Sequence, residues 1–280
     1  MSAVLLITMS LMGCSERVMI PGNIPQGRAW SEWRTLLTDA STEDGLDYEL
    51  IDQNRFMLEG YLKWVGEHGP GTDKVPESQE DWAMAFLINA FNAAAIYSVI
   101  EHRPHDSILE INAGLAPWEG GGFWWGQKFR VDSEWVSLYY LEEQYIINRY
   151  QSPLTHVALN PAIAGAPQVK WWTPDNWDKR SKRGTGLDLH LKKHWRGWLG
   201  SDGGMQQVDD GWHVNQLILD WEDDIVAWSH ADTLCEWLGE MTKGERQVWL
   251  QAQGADCELP SFETDMSLNR LPPESAATLD

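Results

Sequence analysis

Cysteine is scarce in this chain, with three residues in 280. That excludes a disulfide-stapled scaffold and a four-cysteine zinc site. Positive charge is short as well. The 21 Lys and Arg stand against 42 Asp and Glu, for a formal charge of −21. A field of that sign repels phosphate backbones and sets nucleic acid aside as a partner. No internal repeat recurs, so the chain is not a solenoid. Tryptophan is what the chain has in quantity. Its 18 Trp, with 7 Tyr and 6 Phe, need burial or ligands, and 43% hydrophobic residues supply a core for one large domain.

The first segment reads as an address. Ala3 to Met12 is uncharged and mostly apolar, too short to span a bilayer but suited to the hydrophobic region of a signal peptide. It ends in Leu11-Met12-Gly13-Cys14, followed at once by polar Ser15-Glu16-Arg17. That pattern resembles the lipobox of bacterial lipoproteins and implies cleavage before Cys14 and acylation of its thiol. No Lys or Arg precedes the run, which departs from the usual pattern. Residues 1–13 are thus expected to be a signal peptide. Residues 14–29, with Pro21, Gly22, Pro25 and Gly27, are expected to be a tether. The expected location is exported and membrane-anchored, on the periplasmic or cell-surface side.

Residues 30–270 read as one α+β domain, mostly helical, with a small antiparallel sheet; residues 271–280 are a polar tail. Tyr48 to Val65 shows helical spacing, and Ser78 to Asp81 is an S-x-x-D helix start. From Trp82 to Ile100 nineteen residues pass without a charge. Length alone would allow a membrane span, but Asn89, Asn92, Ser98 and the many Ala favour a central helix packed on all sides. Gly114 to Gly126 reads as a loop. Tyr139 to Tyr150 reads as a helix and Thr155 to Asn160 as a strand. Asp210-Gly211 centres the best hairpin signal, and two helices follow, near Leu217 to His230 and Leu234 to Ala252.

Four motifs occur in order. They are Ala85-Phe-Leu-Ile-Asn89-Ala-Phe-Asn92-Ala, EWVSLYYLEEQ around Val136 to Gln144, HVALNPAIAGAPQV from His156 to Val169, and Asp265-Met-Ser-Leu-Asn269. Together they resemble the domain-of-unknown-function family 547 over roughly residues 45–270. The resemblance implies a single domain of that family's fold, with Asn89, Asn92, Leu138, Glu142, His156, Asn160, Gly165 and Pro167 at matching positions. It also implies thiol chemistry or a metal site. Here, however, Pro161 and Ala166 stand where the family has cysteines, and Glu143 where it has a histidine. Neither Pro nor Ala can be a thiolate nucleophile or a soft metal ligand.

Glu142 and His156 form the best surviving catalytic pair, since a carboxylate on one imidazole nitrogen raises the basicity of the other. The competing reading is a core network that only braces helix to strand. Asn89 and Asn92 are expected to bond buried backbone or this pair, and with Asn160, Pro161, Gly165 and Ala166 to line a pocket beside it. His190 and His194 have zinc-clasp spacing, but HLKKH lacks the Glu of H-E-x-x-H and sets Lys192 and Lys193 beside any cation; both are expected to be solvated. No metal and no cofactor is called for. Seven basic residues lie between Lys179 and Arg196 among Trp171, Trp172, Trp177, Trp195 and Trp198, either as a face for an anionic ligand or with the Trp turned inward. Gly120-Gly121-Gly122 beside Trp118, Trp124 and Trp125 is a candidate aromatic lid, or a loop pinned by Trp. Cys235 and Cys257 are expected to pair in an oxidising compartment.

The reading is an envelope lipoprotein with a degenerate domain, a ligand-binding or accessory protein without thiol catalysis. Its partners would be the membrane through a lipid anchor, and a small molecule, glycan or envelope protein. The alternative is a hydrolase or transferase in which Glu142 and His156 activate water or a substrate group. A third reading makes the chain purely structural, with Trp-rich surfaces docking an envelope partner.

Overall fold

The computed structural model describes residues 15–21, 29–70, 79–114, 116, 118–173, 186–209 and 211–272. Cys14, Ser78, Trp177, residues 179–185 and Asp210 lie outside the described residues. The chain opens with β1 (Glu16–Arg17), α1 (Ala29–Ala40), the hairpin β2 (Ser41–Thr42) and β3 (Gly45–Leu46), α2 (Tyr48–Gln53) and α3 (Arg55–Glu67). Then comes α4 (Glu80–His102), the organising element. Its Ala-rich sequence favours helix and admits close neighbours on every side, and all residues from Ala83 to Ile100 are buried. Among the described residues it alone is long and apolar enough to cross a membrane, yet that apolar window is wholly enclosed by the domain. Around it pack α2, α3 and, from later in the chain, Leu138–Tyr140, Leu141–Ile147 and Gly186–Leu199. Each fully buried Leu, Ile or Phe in such a core contributes about 1.5–3 kcal/mol. The helix stops at Arg103, which takes a left-handed conformation (φ 47) and donates its N–H to Val99.

Past α4, Gly122–Gly126 winds as one π turn into β4 (Gln127–Val131) and β5 (Glu134–Val136). The expected loop therefore holds a helical turn. Close approach explains its glycines: a Cβ on Gly122 or Gly126 would lie 2.0 Å from the Ile111 carbonyl or 1.9 Å from that of Ala113. The expected helix after β5 is present, but only its ends are α-helical, α5 (Leu138–Tyr140) and α6 (Asn148–Tyr150). Leu141–Ile147 between them is π-wound. The expected strand at Thr155 to Asn160 is instead a 3-10 turn, His156–Ala158.

The remainder is α7 (Gly186–Leu199), β6 (Met205–Val208), β7 (Gly211–Asn215), α8 (Gln216–Asp220), α9 (Glu222–Trp228), α10 (Leu234–Met241), α11 (Glu245–Ala252) and β8 (Ser261–Phe262). Val208 pairs with Gly211, so Gly211, expected at the centre of the turn, is already the first residue of β7. The two long helices expected late in the chain are each divided, at Trp221 and at Gly244 (φ 65). Among the described residues there are three small sheets. β1 pairs parallel with β4 and β4 antiparallel with β5; β2 pairs with β3; β7 pairs antiparallel with β6 and parallel with β8. The domain is α+β around one buried helix. Glu16–Arg17, expected in the tether, lie against β4, and Val18 donates to Lys128. Cys235 and Cys257 are joined, with Cα atoms 5.7 Å apart.

Candidate functional site

Four motif asparagines form a buried ladder. Asn89 donates to the Trp172 carbonyl (2.6 Å) and accepts from the Trp172 N–H (3.0 Å). One turn on, Asn92 donates to the Ala158 carbonyl (2.8 Å) and accepts from the Asn160 N–H (3.0 Å). Asn160 in turn donates to the Pro167 carbonyl (2.7 Å) and accepts from the Ile163 N–H (3.1 Å) and the Asn269 amide (3.3 Å). Tyr48 closes the chain on Asn269 (2.6 Å). An irregular segment packed on an apolar helix has backbone groups with no ladder to satisfy them. These amides supply the missing partners and staple residues 158–172 and the C-terminal segment to the core. Asn89 and Asn92 bond backbone, not Glu142 or His156. Gly165 is held likewise: its N–H donates to Asp265 and its carbonyl accepts from Asn215, and a Cβ there would lie 2.6 Å from the Asp265 nitrogen.

Among the described residues no direct hydrogen bond or ion pair joins Glu142 to His156; the carboxylate beside the imidazole is that of Asp224. His156 Nε2 lies 3.2 Å from Asp224 Oδ2, with the imidazole turned off the line of a straight hydrogen bond. Its ring stacks on Trp221 (5.0 Å, 15°) and Trp228 (6.3 Å, 4°). These rings join Trp195, Trp198 and Trp237 in one aromatic cluster. Glu143, the neighbour of Glu142, senses the charges of both Asp224 and His156; burial first, then Asp224, raises its carboxyl. Among the described residues Glu142 makes no hydrogen bond. Although part of its surface is open, protein packed around the carboxyl pushes it up to about 8, and Glu143 adds to the shift. His156 braces the 3-10 turn against α9 through its approach to Asp224 and by stacking on Trp228. Asp224, Trp221 and Trp228 were missed in the sequence because nothing local links them to His156.

The second expected element of the site lies elsewhere. A cavity of about 550 Å³ is lined by Asn160, Ala166, His194, Gly197, Trp198 and Asn269, among others. Asn89, Asn92, Pro161, Gly165, Glu142 and His156 are not among its lining residues. Its walls are pinned across three segments. Ser41 donates to the Val169 carbonyl (2.6 Å), Gln168 to the Thr42 carbonyl, and His194 Nε2 bonds the Gln168 carbonyl at 3.0 Å. His194, expected to be solvated, is 7% exposed; burial first, then Lys170, pushes it down to about 4, so it is neutral at physiological pH and donates to Gln168. His190 stays only partly buried. Trp172, Trp195 and Trp198 turn inward. No cluster of three metal-ligating side chains occurs among the described residues.

Residues 76–183 match the model of a family described as a protein of unknown function, DUF547. The chain resembles DUF547 through that stretch. It contains the Asn89–Asn92 helix, the Glu142 helix and the His156 to Val169 segment, while Asp265 to Asn269 lies beyond it. No curated protein and no solved structure matches the chain. Within the matched stretch Ala166 lines the cavity and puts a methyl group on its wall. The Trp118–Trp125 pair (5.8 Å) and the Trp125–Tyr139 pair (4.9 Å) are surface contacts of the glycine-rich loop and do not line this cavity.

Proposed function

We propose that this chain is an envelope lipoprotein, anchored through Cys14, whose domain binds a small ligand in the Ala166 cavity without thiol chemistry. The observation that supports this most is the pre-formed cavity itself. Its volume of about 550 Å³ suits a small-molecule site, and hydrogen bonds from three segments fix its walls. With Ala166 on the wall, covalent thiol attack has no nucleophile. The test fills the space. Gly197 lines the cavity, and a Cβ built on it meets nothing within 4 Å, so the backbone leaves room for the first side-chain atom of Gly197→Phe, whose ring occupies space in the cavity. Small molecules that raise the melting temperature of the native protein should lose that effect in Gly197→Phe. If ligands stabilise both proteins equally, the site lies elsewhere. Anchoring is tested separately: envelope-extracted protein should lack residues 1–13 and carry acyl mass, and an unprocessed product in a lipoprotein-competent host overturns it.

A second reading is favoured by the raised carboxyl of Glu142, which would be protonated near neutral pH and able to donate. Under it the chain is a hydrolase or transferase with Glu142 as proton donor and His156 as base, oriented by Asp224. Glu142→Gln would then abolish turnover while thiol alkylation leaves it unchanged.

A further inference from the structure

We infer that the domain rests on the bilayer holding its anchor, with anionic phospholipid headgroups meeting the outer face of the β1–β4–β5 sheet and the exposed aromatic rings beside it. This rests on the reading that Cys14 is acylated. Glu16 follows Cys14 by two positions. An extended chain spans at most about 3.6 Å per residue, so the Cys14 Cα lies no more than about 7 Å from that of Glu16. Glu16 and Arg17 are held to the domain, not free to act as a spacer: they pair with Gln127 and Lys128, and the Val18 N–H donates to the Lys128 carbonyl at 2.9 Å. An acyl chain attached there leaves the sheet little room to swing away from the headgroups.

The pleat sorts the charges of this sheet. Along β4, Gln127, Phe129 and Val131 are buried, whereas Lys128 is half-buried and Arg130 exposed on the other side. Arg17 is the register partner of Lys128, and Trp135 that of Arg130, so all four share the outer face. The Arg17 guanidinium accordingly lies 5.3 Å from the centroid of the Trp135 ring. The carboxylates of these strands, Glu16 and Glu134, are partners of Gln127 and Val131 and project to the opposite side. Among the described residues none of Arg17, Lys128 and Arg130 is in an ion pair. In a chain with twice as many acids as bases, this face is cationic.

The chain enters β1 at the Gln127 end of β4, and Trp125 stands two residues before Gln127. Trp125 touches Trp118 (5.8 Å) and Tyr139 (4.9 Å), and all three rings are exposed. Trp and Tyr favour the headgroup level of a bilayer, where an apolar ring and a polar tip are both accommodated. The sign of the lipid follows from the field. A domain of net charge −21 is repelled by an anionic bilayer, and the repulsion is strongest where the short anchor forces approach to within the screening length of about 8 Å. A cationic face at that place offsets it. The anchor's length favours lipid over a protein partner, which would have to fit between this face and the bilayer.

The experiment is hydroxyl-radical footprinting of the full-length protein, extracted from envelopes and reconstituted in vesicles, read peptide by peptide by mass spectrometry. Phosphatidylcholine vesicles are compared with vesicles carrying phosphatidylglycerol. The anionic lipid should lower oxidation of Trp118, Trp125 and Tyr139 by about half or more. Leu189 on α7 and Val248 on α11, both exposed, should be oxidised equally in the two. High salt should cancel the difference, as should exchanging Arg17→Gln, Lys128→Gln and Arg130→Gln together. Equal oxidation in both lipids, equal protection of Leu189 and Val248, or a difference that survives the Gln exchanges overturns the inference. Protection in native envelopes without any in vesicles assigns the face to an envelope protein and overturns it too. The mass of the same sample separates the two readings. With acyl mass present and no lipid difference, the bilayer contact falls and the lipoprotein stands. With no acyl mass the lipoprotein reading falls, and flotation of that protein decides the face: flotation that requires the anionic lipid keeps it, and any other result overturns it.

Discussion

Replacing Glu142 with Gln should make the protein more stable as the pH rises, a counterintuitive result for the removal of a motif residue. In the folded chain the Glu142 carboxyl is lifted from an ordinary 4.5 to about 8 by burial, with Glu143 adding repulsion. The unfolded chain therefore gives up its proton at a much lower pH than the folded one. Between those two values the native state binds more protons than the unfolded state, so this group's contribution to stability falls as pH rises through the window. At about 1.4 kcal/mol per pH unit, the full shift sets an upper bound of roughly 5 kcal/mol. Because part of Glu142 is open to solvent, screening reduces the expected effect to about 2–3 kcal/mol. Gln keeps the shape and cannot ionise. Urea unfolding of both proteins, with equal slopes, should give matching stabilities near about pH 4 and a gap favouring Glu142→Gln by about 2–3 kcal/mol near about pH 9. A parallel pH dependence in the two proteins, or a variant less stable at high pH, would refute the burial argument.

His194→Gln should flatten the acid side instead. Native His194 titrates near 4 against an ordinary 6.5, so the wild type loses stability as pH falls through that window. The variant keeps a donor for the Gln168 carbonyl and should lose about 2–3 kcal/mol less over the same range, measured by denaturant midpoints. Reducing the Cys235–Cys257 bond, which closes a separation of 22 residues, should cost about 3 kcal/mol, seen as a lower melting temperature in reductant; an unchanged transition would show that the bond is dispensable. Gly122→Ala forces a Cβ to 2.0 Å from the Ile111 carbonyl and should destabilise by about 1–3 kcal/mol. Gly197→Ala, with open space around its Cβ, should stabilise α7 by about 0.5–1 kcal/mol; equal signs for the two substitutions would contradict the packing account.

Some of this was legible in the chain alone. Nineteen uncharged residues with Ala throughout define a buried helix whatever surrounds them, because an unpaired polar face has nowhere to go in that sequence. The hairpin near residue 210 was legible to within one position, since turn chemistry is local. The amides of Asn89 and Asn92, one turn apart on an apolar face, pointed to buried partners, either backbone or the Glu142–His156 pair, and the fold gives them backbone. Only the tertiary structure decided which carboxylate meets His156. Glu142 and Glu143 are adjacent, but successive helical residues point about 100° apart, and the π winding of Leu141–Ile147 alters that angle. Which of the two faces the imidazole depends on how the helix is rolled against α9, and Asp224, 68 positions beyond His156 in the numbering, takes the contact. The cavity has the same origin. Ser41 to Leu46, Asn160 to Lys170, His194 to Gly203 and Asn269–Arg270 supply its lining residues, and no local pattern predicts their meeting, because long-range packing of irregular backbone, held by asparagine amides, brings those segments together.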